Sequence, residues 1–402
     1  MKPEIFIGER GVGENHPVYF IADIAASHDG DLEKAKDLIY SAAEGGADAA
    51  KFQNFEARTI VSDYGFRALG SQQSHQASWK KSVYEVYEDA ELPVEWTPIL
   101  KETCDKAGID YFTAPDSAEL TDAVTPYVKA WKMGSGDITW HEQIEKMCST
   151  GKPFLLATGA TDMEEVRAAV AAARKHQKYL VLMQCNTNYT ANLKEDRDTR
   201  YARFRCINLK VLETFAREFP FCILGLSDHT HGADTVLGAV GLYNARAIEK
   251  HYTLDNDAKG PDHPFSMNPK SWAEMILQTR EVEKQIKPDM DFEARMQTIA
   301  PFIEDMEALH LSLGDGIKRV EDNERETVVL QRRAARAVRA LKAGEIISPQ
   351  DFFPLRPAPE GSVAPYQFEE CVGQTLKRDI EEGDCLMRTD VDEQKQSRVD
   401  AA

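Results

Sequence analysis

"CILGLSDHTHG" (222–232) and "ARAIEKHYT" (245–253) decide how this chain folds. Each begins as a short apolar run and ends in polar, chemically capable side chains: Ser227, Asp228 and His229 in the first, Glu249 and His251 in the second. The same design recurs upstream in "YFIADIA" (19–25), "AAKFQN" (49–54), "IDYFTAP" (109–115), "AWKMGSG" (130–136), "FLLATG" (154–159) and "YLVLMQC" (179–185). Amphipathic helical patterns such as "DLEKAKDLIYSAAEGG", "MEEVRAAVAAARKH" and "INLKVLETFAREF" separate most of them, with apolar residues at i, i+3, i+4 and i+7. Eight such units, with strands too apolar for a sheet wetted on one face, predict an α/β protein built on a parallel (β/α)8 TIM barrel. A doubly wound open sheet competes on strand count; the lack of a GxGxxG turn after the first strand counts against its dinucleotide-binding form.

The 402 residues give room for one large and one small domain. No apolar run approaches the roughly 20 residues that span a bilayer. The N-terminal "MKPEIFIGER" has acidic residues and no continuous apolar stretch, so a soluble, cytoplasmic protein is expected. Seven cysteines without a CxxC pair argue against both a disulfide framework and a structural zinc site. A net charge of −19 disfavours nucleic acid and anionic membrane as partners. Cations concentrated in one pocket against that background are therefore informative.

"MKPEIFIGERGVGENHPV" (1–18) reads as a hairpin ahead of the barrel, and "SDYGFRALGSQQSHQASWKK" (62–81) as a long loop over the site. The strand–helix alternation stops near residue 312, which places the barrel domain at 1–312. A charged connector follows at 313–332, then a small β-rich module at 333–392 and a flexible tail at 393–402. Within the module, "RALKAGEIISPQD" (339–351) and "RDIEEGDCLMRTD" (378–390) match as R-x-[LI]-x-x-G-[ED]-x-[IL]-x-x-x-D, the mark of an internal duplication.

Functional groups of a (β/α)8 barrel stand at the C-terminal ends of its strands. Those positions hold Asp23, Lys51 and Gln53, Lys132 with Ser135 and Asp137, Thr158, Thr187 and Tyr189, Ser227 with Asp228 and His229, and Glu249 with His251. A lysine inside an apolar strand is desolvated, which penalises its charge unless an anion is supplied. Lys51 and Lys132, with the hydroxyls of Ser135 and Ser227, therefore suit a phosphate, a carboxylate or both; the bland alternative is a stem on apolar surface or a buried ion pair. His229 and His251 follow neighbouring strands of a closed barrel, so their rings can share one divalent transition ion with positions open to water and substrate oxygen. Asp228, Glu249 and Asp262 flank them as carboxylates that would orient the rings. The competing readings are two satisfied rim histidines, or His231 and His263 as the ligands. Arg356, in "FFPLRPAPEG", is either a solvated charge or a group on a stiff loop that closes a partner's site.

The chain resembles the sialic acid synthase family. The resemblance runs in order through "IADIAASHDGDLEKAKDLI", "GGADAAKFQNF", "KMGSGDIT", "LSDHTHG", "IEKHYTLD" followed by "GPDH", and "LKAGEIISPQDF" with "LRP", over nearly the whole chain. It implies a (β/α)8 barrel followed by a small antifreeze-like (SAF, β-clip) domain. It also implies an enzyme that joins phosphoenolpyruvate to an N-acylhexosamine such as N-acetylmannosamine, giving a nonulosonic acid and phosphate. By the same resemblance His229 and His251 hold Mn2+, with Mg2+ or Co2+ as substitutes, and phosphoenolpyruvate meets Lys51, Lys132, Ser135, Thr158, Thr187 and Ser227. The amino sugar meets Gln53, Asp137, Tyr189, Asp262 and Arg356, and the implied catalytic set is Asp23, Lys51, Asp137, Glu249 and Asp262. Arg356 is expected to reach the other subunit of a domain-swapped homodimer.

The sequence departs from the family pattern at Asp23 and Asp137, where glutamate is common, and at Ala157, where "STGM" would supply a serine. It departs again in "CNTNYT", where "CTxxYP" is common. Shorter carboxylates imply a different reach and leave the acceptor aldose open. Two other functions compete. A different metal-dependent barrel aldolase or lyase would form a carbonyl product from one substrate without free phosphate. A non-catalytic carbohydrate-binding relative would bind sugar equally well after His229→Ala and His251→Ala.

Overall fold

The computed structural model describes residues 2–70, 81–187, 196–260 and 262–391. Tyr189 and the 393–402 tail, both singled out from the sequence, lie outside the described residues. Eight strands run parallel: β1 (Tyr19–Asp23), β2 (Ala49–Asn54), β3 (Asp110–Pro115), β4 (Trp131–Met133), β5 (Phe154–Ala157), β6 (Leu180–Cys185), β7 (Cys222–Asp228) and β8 (Ala247–His251). Each falls inside one of the apolar runs read from the sequence. They pair in the cyclic order β3-β2-β1-β8-β7-β6-β5-β4, so the sheet curls into a nearly closed barrel with its seam between β3 and β4. The last strand lies beside the first, with Ala247 opposite Tyr19 and His251 opposite Asp23.

Side chains alternate across a strand, and this period of two sorts the barrel. Tyr19, Ile21, Ala49, Phe112, Ala130, Leu155, Val181, Ile223 and Ala247 form the interior cluster. Phe20, Ala22, Ala50, Phe52, Leu226 and Ile248 pack in the outer layer beneath the helices. Fully burying an aliphatic or aromatic side chain of this kind stabilises by about 1.5–3 kcal/mol. Following the inward parity toward the strand C-termini reaches Asp23, Lys51, Lys132, Ser227 and Glu249 in turn. The barrel interior is therefore apolar below a charged mouth, with Asp110 at the base paired to Arg10 and Lys129. The expected hairpin is present, with Glu4–Ile7 antiparallel to Arg10–Gly13, and its Ile7 and Val12 join the interior cluster at the base.

The helices obey local signals. Helix α1 (Leu32–Glu44) starts where the Asp31 carboxylate accepts from the backbone of Glu33 and Lys34, and it buries Ala35, Leu38, Ile39 and Ala42. The stretch read as a long loop contains a short helix, Asp63–Ala68, and leads into another, Val83–Asp89. No helix among the described residues is long and apolar enough to cross a membrane.

The C-terminal module pairs Ala334–Ala337 with Phe352–Leu355 antiparallel. Its two sequence copies face each other about an approximate two-fold axis: Leu341 N–H donates to Ile380 O at 2.8 Å and Ile380 N–H returns to Leu341 O at 3.0 Å. Arg339 Nε meets Asp351 Oδ1 at 3.0 Å, and its counterpart Arg378 Nε meets Asp390 Oδ1 at 2.8 Å. The 313–332 connector is more ordered than its charge suggested, since it carries a helix at Arg325–Gln331 and buries Glu324 completely. It lays the module over the barrel, where Arg356 N–H donates to Ile60 O at 2.9 Å and Ser62 N–H to Arg356 O at 2.8 Å.

Candidate active site

The inward parity delivers four charged side chains into one buried quartet. Lys51 Nζ lies 2.6 Å from Asp23 Oδ2 and 3.6 Å from Glu249 Oε1, and Lys132 Nζ lies 2.6 Å from Glu249 Oε1. Ser227 Oγ donates to the same Glu249 oxygen at 3.2 Å. Each isolated charge here would cost several kcal/mol to desolvate, and pairing of the two lysines with the two carboxylates offsets that cost. Burial alone would raise the Glu249 carboxyl, but Lys132 and Lys51 overcome it and hold it below its usual range. Burial pushes the Asp23 carboxyl upward despite Lys51. Burial also opposes the Lys51 charge, yet Asp23 and Glu249 more than restore it. The lysines are thus already balanced, and an incoming anion must compete with Asp23 and Glu249 for them.

Next to the quartet stand the two imidazoles, with ring centroids 5.2 Å apart and His251 Nε2 3.6 Å from Asp23 Oδ2. His229 Nδ1 is 3.1 Å from the Asn186 carbonyl. A carbonyl only accepts, so Nδ1 carries the proton and Nε2 keeps its lone pair. Phe265 backs the His251 ring edge-on at 4.9 Å. Burial lowers the pKa of His229, and burial followed by the His229 and lysine charges holds His251 well below the usual value. Both rings are therefore neutral at neutral pH, the form that binds metal. Among the described residues no set of three or more His, Cys, Asp or Glu groups forms a cage. The pair fits an ion whose remaining positions go to water and substrate oxygen.

Several expected roles are corrected. Asp228 has the outward parity: Lys250 Nζ at 2.6 Å and the Thr230 and Thr235 hydroxyls at 2.7 Å occupy it, so it braces the loop after β7 and does not orient an imidazole. His263 is buried against Thr253 Oγ1 at 2.6 Å and Asp29, and neither it nor His231 lines the pocket. The Thr158 hydroxyl donates to Met183 O at 3.0 Å, and Thr187 donates to Glu324 Oε1 from its N–H at 2.7 Å and its hydroxyl at 3.2 Å. Neither threonine lines the pocket, so neither is placed to hold a phosphate. Ser135, Gln53 and Asp262 do line it. Ser135 Oγ accepts from Gly159 N–H at 2.8 Å, and a side chain at Gly159 would bring Cβ within 2.0 Å of Thr187 Oγ1. Asp262 Oδ2 accepts from Ala26 N–H at 3.0 Å, and burial raises its carboxyl.

The roof comes from the connector and the module. Arg333 Nε approaches Asp137 Oδ1 at 2.6 Å and Arg356 Nη2 approaches Asp137 Oδ2 at 3.4 Å. Burial opposes ionisation of Asp137, but the two guanidiniums win and hold its carboxyl below the usual range. A carboxylate so paired is a docking group and a poor base. Arg356 Nη1 also donates to Gln331 Oε1 at 2.7 Å. The connector, folded back over the mouth, brings Arg356 to Asp137. Sequence reasoning missed Asp116, Glu324, Gln331 and Arg333. Asp116 directly follows β3 and the strand-end rule would have found it, whereas the other three sit in segments whose place over the mouth no local pattern announces.

The fold and this mouth define a class: (β/α)8 barrels with a buried lysine–carboxylate quartet beside a two-histidine rim, under a C-terminal β roof. Residues 38–291 match the NeuB family and residues 332–392 match the SAF domain. The chain belongs to the NeuB family and is an enzyme of the sialic acid synthase type. It is 32% identical over 381 residues to N,N'-diacetyllegionaminic acid synthase of Legionella pneumophila, covering 93% of this chain and 95% of that one. To N-acetylneuraminate-9-phosphate synthase of Homo sapiens it is 29% identical over 282 residues, covering 69% and 73% respectively. The crystal structure of spore coat polysaccharide biosynthesis protein spsE from Bacillus subtilis matches it with a TM-score of 0.74 at 26% identity, covering 97% of this chain and 99% of that one.

Proposed function

We propose that this chain condenses phosphoenolpyruvate with an N-acylhexosamine, N-acetylmannosamine or a related aldose, to give a nonulosonic acid and phosphate. The observation that carries this reading is the buried Lys51–Asp23–Glu249–Lys132 quartet lying against the neutral His229–His251 pair at one barrel mouth. Phosphoenolpyruvate would take Lys51 and Lys132 as counter-ions, with Ser135 and Ser227 as hydroxyl donors. Away from water such charges act far more strongly than in solution. C3 of the enol attacks the aldehyde carbon of the open-chain sugar, and the aldehyde oxygen takes a proton from solvent, which the proton released by water at C2 replaces. Water adds to the cationic C2 and gives its proton to Asp23, whose raised carboxyl lies beside Lys51 and His251. The C2–O bond to phosphate then breaks as the C2 hydroxyl gives its proton to the departing phosphate, leaving a 2-keto acid.

His229 and His251 would hold a divalent ion, Mn2+ with Mg2+ or Co2+ as substitutes, which supplies Lewis-acid polarisation of the aldehyde oxygen. Gln53, Asp262 and Arg356 line the same pocket and would meet the acceptor. A domain-swapped homodimer, in which Arg356 reaches the other subunit, belongs to this reading, and a cytoplasmic site of action follows from the use of phosphoenolpyruvate. Support comes from relatives named as synthases of different sugar acids, which also makes a sugar panel the right test. Phosphate release from phosphoenolpyruvate should appear with at least one hexosamine of the panel, depend on added Mn2+ after chelation, and yield a product of the summed mass less phosphate plus water. Absence of release with every aldose would defeat the reading.

A further inference from the structure

Asp116, immediately after β3, is a carboxylate that the condensation above does not use. It lines the same pocket as the imidazoles and is buried. Its Oδ2 accepts from Thr59 Oγ1 at 2.9 Å and lies 3.9 Å from Arg333 Nη2. Its Oδ1 is buried and has no hydrogen-bond partner among the described residues. Leaving a buried acceptor unsatisfied costs about 1–3 kcal/mol, a cost that a folded protein seldom carries without a use for it.

Topology says what the oxygen faces. In the cyclic strand order β3 stands across the barrel from β7, so Asp116 and His229 occupy opposite sides of the mouth. An open-chain aldose whose aldehyde sits at the imidazoles must extend its far end toward β3. Phe55, Ile60 and Val86 wall the same pocket with apolar groups, and the Tyr87 hydroxyl beside them is turned to Arg356 at 3.4 Å. We propose that Asp116 is a specificity-determining residue whose Oδ1 accepts a hydrogen bond from an N–H or O–H on the part of the acceptor remote from its aldehyde. This rests on the condensation reading and sharpens it: the preferred acceptors carry a donor there, and matched deoxy analogues are poor. A site built to hydrogen-bond one substrate group discriminates strongly against the analogue lacking it.

The test compares wild type, Asp116→Ala and Asp116→Asn on the best acceptor of the panel and on analogues each lacking one hydroxyl at C4, C5 or C6. For wild type, kcat/KM should fall about 10- to 100-fold with one analogue. Asp116→Ala should lose a similar factor on the parent sugar, lose nothing further on that analogue, and leave the KM for phosphoenolpyruvate within about twofold. Asp116→Asn keeps the volume and serves if Asp116→Ala does not fold; it should show the same analogue-selective pattern, reduced. Equal losses on every analogue, or a parallel rise in the phosphoenolpyruvate KM, would mean that Asp116 only props Arg333 and would overturn the inference. Wild-type enzyme that turns over no sugar would instead defeat the condensation reading, and this inference with it.

Discussion

Lys132 shows how much a single buried charge decides. Replaced by Met, it leaves Glu249 with Lys51 at 3.6 Å as its remaining cation. Breaking a buried pair from one side costs about 3–5 kcal/mol. Lys132→Met should therefore lower the denaturant midpoint markedly as well as raise the phosphoenolpyruvate KM, and an unchanged midpoint would refute the pairing. Asp116 makes a prediction of opposite character. Burial pushes its carboxyl up to about 7, whereas an unfolded Asp titrates near 3.9. Between those values the folded chain holds a proton that the unfolded chain has released, so this group's contribution to stability falls as pH rises, by up to about 4 kcal/mol across the interval. Asp116→Asn removes that slope, and its stability relative to wild type should climb from pH 4 to pH 7 in urea titrations. At this scale the sequence was largely legible: strand-end position alone named Asp23, Lys51, Lys132, Ser227, Glu249 and both histidines. It erred on Thr158 and Thr187 because a hydroxyl's partner is a matter of neighbouring loops.

Elements explain those loops. Glu324 arrives on the connector and takes the N–H groups of Ala160 and Thr187, both at 2.7 Å, thereby tying the turns after β5 and β6 together. Ala160 sits at a φ of 51°, a left-handed conformation costly for a residue with a Cβ, and the Glu324 carboxylate helps to hold it there. Glu324→Ala should loosen both turns and raise the phosphoenolpyruvate KM several-fold, with faster amide exchange confined to those turns; exchange unchanged there would exclude this role. Gly136 marks the second contact. A Cβ at that position would come within 2.5 Å of the Gln331 carbonyl and 3.0 Å of Arg356 Nη2, so Gly136→Ala should displace the roof and weaken acceptor binding more than phosphoenolpyruvate binding. Separate KM measurements decide. The connector's charge pattern named it as a linker correctly, but charge says nothing about which side chain it buries.

On the scale of the whole molecule, barrel and module meet through Arg333, which pairs with Asp137 and donates to Thr59 O and Pro354 O at 2.7 and 2.8 Å. Its guanidinium also lies 4.6 Å from the Trp140 ring centroid. Arg333→Ala should cost more stability than Arg356→Ala, in the range of about 3–5 kcal/mol for a severed buried pair, as read by calorimetry. The domain-swapped homodimer predicts that activity falls in step with dissociation on dilution; turnover per site that persists through the dimer–monomer transition would assign Arg356 to its own barrel. The sequence by itself determined the eight strands, the face that each side chain takes, the charged mouth, and the duplicated arms of the module, in which Leu341 and Ile380 turned out to face each other. All of these are local periodicities of two, of 3.6 or of a repeated motif, written within a few residues. Only the tertiary structure decided that Asp228 pairs with Lys250, that Asp137 is claimed by two arginines, and that Arg356 meets Gln331. Those pairings join segments far apart in the chain, and they depend on barrel closure and on the path of the connector, which no short window of residues encodes.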